Sequence, residues 1–211
     1  NYALIDTNNL HIVGEEYLNI HHHLMALPGQ QIAHIKEVWS HPMALLQCKE
    51  FFKKHPHIKL VEDVDTAEVA KRIAKETLVG IAAIAPKIAA EIFDLEVLED
   101  KIQTMKDNAT RFVIVQTQAS TNGIDHINKA SLKFQLNHKR GSLAAILNVL
   151  SDCKMNLTKI QSLPVIEMPW KYSFFVDVTF EDYKDYLKVV KIIEIMAEEF
   201  KILGTYKNGR K

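Results

Sequence analysis

The stretch from Tyr172 to Phe180 constrains the fold more tightly than any other part of this chain. Tyr172, Phe174, Val176, Val178 and Phe180 alternate with Ser173, Phe175, Asp177 and Thr179. A period of two sustained over that length is a strand packed firmly on one side. Its neighbours complete a pattern: a strand with Ala130, Leu132, Phe134 and Leu136 on one face, a helix from Ser142 to Cys153, and a strand from Asn156 to Ile166. After the alternating strand come a helix from Tyr183 to Phe200 and a strand from Lys201 to Tyr206. The order βαββαβ predicts a ferredoxin-like antiparallel sheet with two helices on one face.

The chain before Gln118 has a different texture, with apolar runs of strand length taking turns with amphipathic helical stretches. Ile12 to Ile20 reads as a strand and Leu27-Pro28-Gly29 as a turn. Ile35 to Trp39 is a short strand, and Ser40-His41-Pro42, a Ser cap and an early Pro, opens a helix to about Lys54. The same phrase recurs in Ile58–Val61, the caps Asp65-Thr66 and the helix Ala67–Glu76, and again in Gly80–Ala85 followed by the helix Pro86–Phe93. Repeated strand-to-helix units favour an α/β layer with a largely parallel sheet. Gln118-Ala119-Ser120-Thr121-Asn122-Gly123 is small, polar and turn-rich. It divides the chain into a first domain, 1–117, a linker, 118–128, and a second domain, 129–211.

Charge narrows the choice of partner. Among the 211 residues, 26 Lys and Arg balance 26 Asp and Glu, so no basic field is available for nucleic acid. The apolar runs, such as Val79–Ala85, fall far short of the roughly 18 to 20 residues of a membrane span. Cys48 and Cys153 have neither the spacing of a metal knuckle nor that of a redox pair, the usage of a reducing, cytoplasmic compartment. Asn1-Tyr2-Ala3-Leu4-Ile5 carries no initiator Met and reads as if the text began in mid-domain.

In an open α/β sheet, ligands collect where strands end and helix N-termini point unpaired N–H groups into a crevice. Three such starts occur, at Ser40-His41-Pro42, Asp65-Thr66-Ala67 and Ala85-Pro86, and each is either an anion site or simply a well-made cap. Asn108-Ala109-Thr110-Arg111-Phe112 opens the strand Phe112–Val115. An Arg fork there can fix a carboxylate while the Thr hydroxyl serves another group of the same ligand, or both can be surface decoration. The run His21-His22-His23 points to alternating faces of a strand and has no companion carboxylate or Cys cluster, so no metal is expected. His41 has no Ser or Cys in a nucleophile context beside it, which favours capping over base catalysis. In the second half, Gly141-Ser142-Leu143-Ala144 starts a helix near Asn156-Leu157. Free N–H groups there could grip the carboxylate of a small amino acid, with Leu143 and Leu157 over its side chain, or the segment is a tight connection.

These residues carry a pattern, and the chain resembles the prephenate dehydratase family with its C-terminal ACT regulatory domain. The resemblance runs through Ile12-Val13-Gly14-Glu15, Ser40-His41-Pro42 with Gln47-Cys48, Asp65-Thr66-Ala67, Ala82–Ala85, Asn108–Phe112, Gly141–Ala144 and Asn156–Ile160, with Thr110-Arg111-Phe112 the most diagnostic triplet. It implies a two-lobed catalytic domain of periplasmic-binding-protein type that turns prephenate into phenylpyruvate without a cofactor. Thr110 would assist the leaving hydroxyl, and Ser40, His41, Thr66, Arg111 and Phe112 would hold the substrate. The resemblance further implies phenylalanine as effector at Gly141, Ser142, Leu143, Ala144, Asn156 and Leu157, with ACT domains paired in a homodimer or homotetramer. Two departures stand out. The regulatory signature Glu-Ser-Arg-Pro is here Gln161-Ser162-Leu163-Pro164, with Arg140 replacing the usual Pro before the glycine. The family's glycine-rich opening segment is not in the sequence, which implies an N-terminally shortened catalytic domain or, alternatively, an inactive fragment serving as an amino-acid-sensing module.

Overall fold

The computed structural model describes residues 2–118, 126–137, 139–165, 168 and 170–210. Most of the expected linker, 119–125, and His138 lie outside the described residues. The chain forms two compact units, Asn1–Tyr17 with Arg111–Lys211, and Leu18–Thr110. This division differs from the sequence boundary near 117, because residues 1–17 and 111–117 cluster with the C-terminal part.

The chain enters through α1 (Tyr2–Thr7) and β1 (His11–Asn19). The unit Leu18–Thr110 then contains β2 (His23–Ala26), β3 (Glu37–Ser40), α2 (Pro42–Gln47), α3 (Lys49–Phe52), β4 (Lys59–Glu62), α4 (Thr66–Glu76), β5 (Ile81–Ala85), α5 (Lys87–Ile92) and β6 (Glu96–Glu99). Its five-stranded sheet has the order β4-β3-β5-β2-β6. Strand β3 pairs parallel with β4 and β5, but β2 pairs antiparallel with both β5 and β6. The expected parallel sheet is therefore only the β4-β3-β5 half.

Each face of this sheet has its own core. Leu24, Val38, Ala82 and Ile84 pack with Leu45 and Phe52 on one side, whereas Met25, Ala83 and Ala85 pack with Val69, Ile73 and Ala89 on the other. Burial on both faces is why Ile81–Ala85 is continuously apolar rather than alternating. The single helix expected from Pro42 to Lys54 is interrupted at Cys48, whose φ of −103° and ψ of 6° leave helical geometry. Cys48 and Cys153 are both free thiols, and burial pushes the Cys48 thiol up to about 12.

The other unit continues with β7 (Ala109–Gln116), β8 (Lys129–Gln135), α6 (Ser142–Asp152), β9 (Asn156–Pro164), β10 (Tyr172–Thr179), α7 (Tyr183–Met196) and β11 (Glu199–Tyr206). Strands β1 and β7 make a two-stranded sheet, and the other four make a sheet of order β11-β8-β10-β9, antiparallel throughout, as the βαββαβ pattern predicts. On its helix side, Leu132, Phe134, Val176 and Val178 meet Ile146 and Leu150 of α6 and Tyr186, Val189 and Ile193 of α7.

The opposite side departs from expectation. Every residue of β8 is buried, including Lys129, Ser131, Lys133 and Gln135, and Asp177 of β10 is buried as well. Tyr2 and Ile5 of α1 and Ile12 of β1 pack over Phe175, Leu203 and Tyr206. The close approach depends on Gly204, where any Cβ would overlap the Ile12 carbonyl.

Candidate functional site

Within the unit Leu18–Thr110, a cleft of about 380 Å³ lies at the ends of β3 and β5, above the starts of α2 and α4. Ile20, His22, His41, Met43, Ala44, Gln47, Asp65, Thr66, Pro86, Asn108 and Thr110 line it. The volume falls in the range of about 300–1,000 Å³ usual for small-molecule sites. Of the expected site residues, His41, Thr66 and Thr110 meet here.

Local structure explains the placement. Pro42, which lacks an N–H, sits at the first turn of α2, and His41 is the cap, its Nδ1 accepting from the Met43 N–H at 3.2 Å. The Ser cap expected at position 40 is a correction: Ser40 ends β3, is fully buried, and donates its Oγ proton to the Ile84 carbonyl at 2.8 Å. It ties two strands together and does not line the cleft. At α4, Asp65 accepts from the Ala67 and Glu68 N–H groups at 2.7 and 3.0 Å. The first N–H groups of these two helices are thus taken by their own caps. The cleft wall offers neutral donors instead, the Thr66 and Thr110 hydroxyls and the side-chain amide of Gln47, beside the Asp65 carboxylate.

In the sequence Gln47 and Asn108 stand only as parts of a motif, and His22 as the middle of a histidine run at which no metal is expected. In the structure they form one hydrogen-bonded set. Gln47 Oε1 lies 2.7 Å from His22 Nε2 and 3.2 Å from Asn108 Nδ2. The signal available in the sequence was the spacing of Met43 and Ala44 to Gln47, four and three residues on the helix opened by Pro42, which puts all three on the face toward the cleft. Burial, opposed by the bond to Gln47, holds the His22 pKa below its ordinary value, and the nearby His21 and His23 push it the same way.

Arg111 stands in a different setting. Its Nε donates to Glu15 at 2.5 Å, its Nη1 to Asp177 at 2.5 Å and to Tyr2 Oη at 2.9 Å, and its Nη2 to Tyr206 Oη at 2.7 Å. Lys129 joins Glu15 at 2.9 Å, while Ser131 donates to Asp177 at 2.5 Å. Two cations face two carboxylates, with the side chains of Glu15 and Asp177 0% and 1% exposed. The guanidinium fork assigned by sequence to a substrate carboxylate is occupied by carboxylates of its own unit. Burial and the neighbouring Asp177 hold the Tyr2 and Tyr206 hydroxyls well above the ordinary phenol range, so both remain hydrogen-bonding neutral groups. Phe112 is half exposed on β7.

The expected effector residues fall into two groups. Ser142 and Leu143 line a small cleft of about 90 Å³ with Asn137, Trp170, Tyr172 and Phe174, beside Gly141, whose φ of 81° favours glycine. Ala144 follows on an exposed turn of α6. Asn156 and Leu157 begin β9, past the far end of α6, and Asn156 lines another cleft with Lys154, Glu181, Asp182 and Asp185. Eleven residues of α6 separate the groups by roughly 16 Å at about 1.5 Å per residue. No His, Cys, Asp and Glu cluster suited to a metal occurs among the described residues, and none of their helices is long and apolar enough to cross a membrane.

A mixed sheet with a polar cleft at its strand ends, joined to a ferredoxin-like unit, defines an α/β protein of the two-lobed binding-protein type with a βαββαβ module. The prephenate dehydratase family profile matches residues 1–120, and the chain belongs to that family. It is 38% identical over 199 residues to arogenate dehydratase/prephenate dehydratase 2 of Arabidopsis thaliana, covering 94% of this chain and 51% of that protein. It is 34% identical to the prephenate dehydratase of Methanocaldococcus jannaschii, covering 96% of this chain and 73% of that protein. The chain spans about half the length of several curated relatives, 51% and 54% in two of them. Among solved structures it superposes on GqqA, described as a quorum quenching acylase, with a TM-score of 0.85 at 26% identity, over 97% of this chain and 75% of that one. It also superposes on a prephenate dehydratase from Arthrobacter aurescens in complex with L-Phe, with a TM-score of 0.84 at 24% identity, over 99% of this chain and 70% of that one, a likeness of fold.

Proposed function

We propose that the cleft is part of a prephenate dehydratase site, at which prephenate loses its ring carboxylate as carbon dioxide and its ring hydroxyl as water. The pair of electrons from the breaking carbon–carbon bond enters the ring, the carbon–oxygen bond breaks, and one proton is consumed by the departing hydroxide. Aromatisation drives the step, so the protein chiefly has to hold the substrate and stabilise hydroxide as it leaves. The observation that carries this reading is Thr110, an exposed hydroxyl on the wall of a cleft whose other polar residues are His22, His41, Gln47, Asp65, Thr66 and Asn108. A Thr hydroxyl is a poor acid, and its role is to polarise the leaving oxygen by a hydrogen bond. Among the described residues no Lys or Arg lines the cleft, so the Thr66 and Thr110 hydroxyls and the Gln47 amide, rather than Ser40 or Arg111, face the carboxylates of the substrate.

The same reading makes the βαββαβ unit an ACT domain with phenylalanine as effector, in a cytoplasmic enzyme of phenylalanine biosynthesis. Support comes from Gly141, Ser142 and Leu143 beside an aromatic-lined cleft. The separation of these residues from Asn156 and Leu157 suits a site completed by two copies of the chain in a homodimer or homotetramer. The test is phenylpyruvate formation from prephenate, and phenylalanine formation from arogenate in parallel, by this chain and by Thr110→Ala. Turnover in the unsubstituted chain and a loss of about 10²-fold or more in the variant is expected. Equal turnover in both would remove Thr110 from the chemistry. Phenylalanine uptake without turnover would favour the amino-acid-sensing module.

A further inference from the structure

The orientation of the Gln47 side chain can be worked out from one fixed point, the Ile20 backbone carbonyl, which only accepts. Asn108 turns its amide nitrogen toward that carbonyl at 3.5 Å and toward Gln47 at 3.2 Å. An atom that receives an N–H here is an oxygen, so Gln47 presents its carbonyl to Asn108. His22 Nε2 lies 2.7 Å from the same oxygen. An imidazole nitrogen at hydrogen-bonding distance from an amide oxygen carries the proton, which makes neutral His22 the Nε2–H tautomer and leaves Nδ1 bare. Nδ1 agrees with this: it is buried without a partner, and a proton there would be a donor with nothing to receive it.

His22 is itself held from both sides. Its backbone N–H donates to Gln103 Oε1 at 3.0 Å, its carbonyl accepts from the Ile102 N–H at 2.8 Å, and Gln103 Nε2 lies 3.0 Å from His21 Nδ1. The residue is 6% exposed, so the ring has little room to turn. With two N–H groups fastened to Gln47 Oε1, the Gln47 NH2 group is directed away from both. It has no acceptor among the described residues, and Gln47 lines both the cleft that holds Thr110 and a neighbouring one of about 460 Å³ bounded by Thr104, Met105 and Asp107.

We propose that His22 is a positioning residue of this site: as the Nε2–H tautomer, with Asn108, it clamps the Gln47 carbonyl oxygen so that the Gln47 NH2 group is presented to an anionic oxygen of the ligand beside Thr110. The identity of the ligand as prephenate rests on the dehydratase reading; the clamp itself does not. His22 touches no reacting atom and acts through Gln47. Misorienting that amide by a flip would turn a carbonyl oxygen toward a carboxylate, exchanging an attraction for a repulsion.

Nitrogen NMR of the 15N-labelled chain, with the ring signals assigned by their disappearance in His22→Gln, reads the tautomer directly. Calorimetric titration with prephenate then compares the unsubstituted chain with His22→Gln, which keeps an N–H donor for Gln47, and with His22→Phe, which removes it. The expected results are a protonated Nε2 and an unprotonated Nδ1, prephenate binding about tenfold weaker in His22→Phe, and binding close to the unsubstituted chain in His22→Gln. A protonated Nδ1 overturns the proposal, whether or not His22→Phe folds. So does a folded His22→Phe chain that binds prephenate as tightly as the original. If the unsubstituted chain takes up no prephenate, the dehydratase reading fails, and the clamp is decided by the tautomer alone.

Discussion

Thr110 and Arg111 are consecutive in the chain, yet they belong to opposite kinds of polar cluster. Around Arg111 every guanidinium nitrogen has a partner: Glu15 and Asp177 neutralise Arg111 and Lys129, and Tyr2, Ser131 and Tyr206 add further hydrogen bonds. Around Thr110 the protein has fastened one end of each group and left the other open. His41 Nδ1 is used and Asp65 is used, while the Gln47 NH2 group and the Thr110 hydroxyl have no protein acceptor among the described residues. A closed cluster of buried charges resists change, because removing one partner strands another in a medium of low dielectric constant. Open, neutral donors on a cleft wall cost little to keep and are available to a ligand. The difference teaches that a charged residue in a motif is not thereby the ligand-binding one.

Asp177→Ala tests the closed cluster most severely. It leaves the Arg111 charge uncompensated on that side, and a loss of about 3–5 kcal/mol in urea unfolding is expected. A loss below about 1 kcal/mol would mean that water already serves Arg111 and that the cluster is not closed. Gly204→Ala attacks the cover of the same cluster from the apolar side. Pushing β1 off β11 through the Ile12 carbonyl is expected to cost about 1–3 kcal/mol, read as a lower midpoint in the same titration.

Thr110→Val should barely register on that scale, within about 0.5 kcal/mol, because the side chain is exposed and holds nothing together. Prephenate turnover is where its effect should show, and a variant that is both destabilised and active would erase the contrast between the two clusters. The smallest effect belongs to His22. Its folded pKa is depressed below the ordinary 6.5, so the unfolded chain binds the proton first as pH falls. Stability from this residue is complete above about 6.5 and is lost as pH drops through that value toward the lowered folded pKa. In a stability–pH profile, His22→Gln should flatten that decline relative to the unsubstituted chain.

Much of the architecture could be read from local pattern. The alternation in Tyr172–Phe180, the caps at Asp65 and Asp182 and the Pro at the start of α2 each fix an element through contacts a few residues away. Strands β2 and β6 were not read, since four residues carry little periodicity and their pairing with β5 and with each other is between distant segments. The break at Cys48 also escaped notice, the surrounding apolar spacing being that of one helix. At the site, Thr110 and His41 came from the motif, whereas His22 was hidden in a histidine run. The role proposed for it depends on Gln47, 25 residues further on, and on Asn108, another 61 residues beyond that.

By itself the sequence determined the order of elements, the helix caps and the apolar faces of the sheets, because these follow from backbone preferences and side-chain period over short distances. The tertiary structure alone decided the fate of the polar face of the C-terminal sheet. Lys129, Ser131, Lys133, Gln135 and Asp177 alternate with apolar residues as a solvent-facing set would, and only the folding of α1 and β1 over them turns that face inward. Once covered, those charges had to find partners, and Arg111 and Glu15 supplied them from strands far away in the chain. A period of two states which residues share a face; what that face meets is settled by segments that the local pattern cannot see.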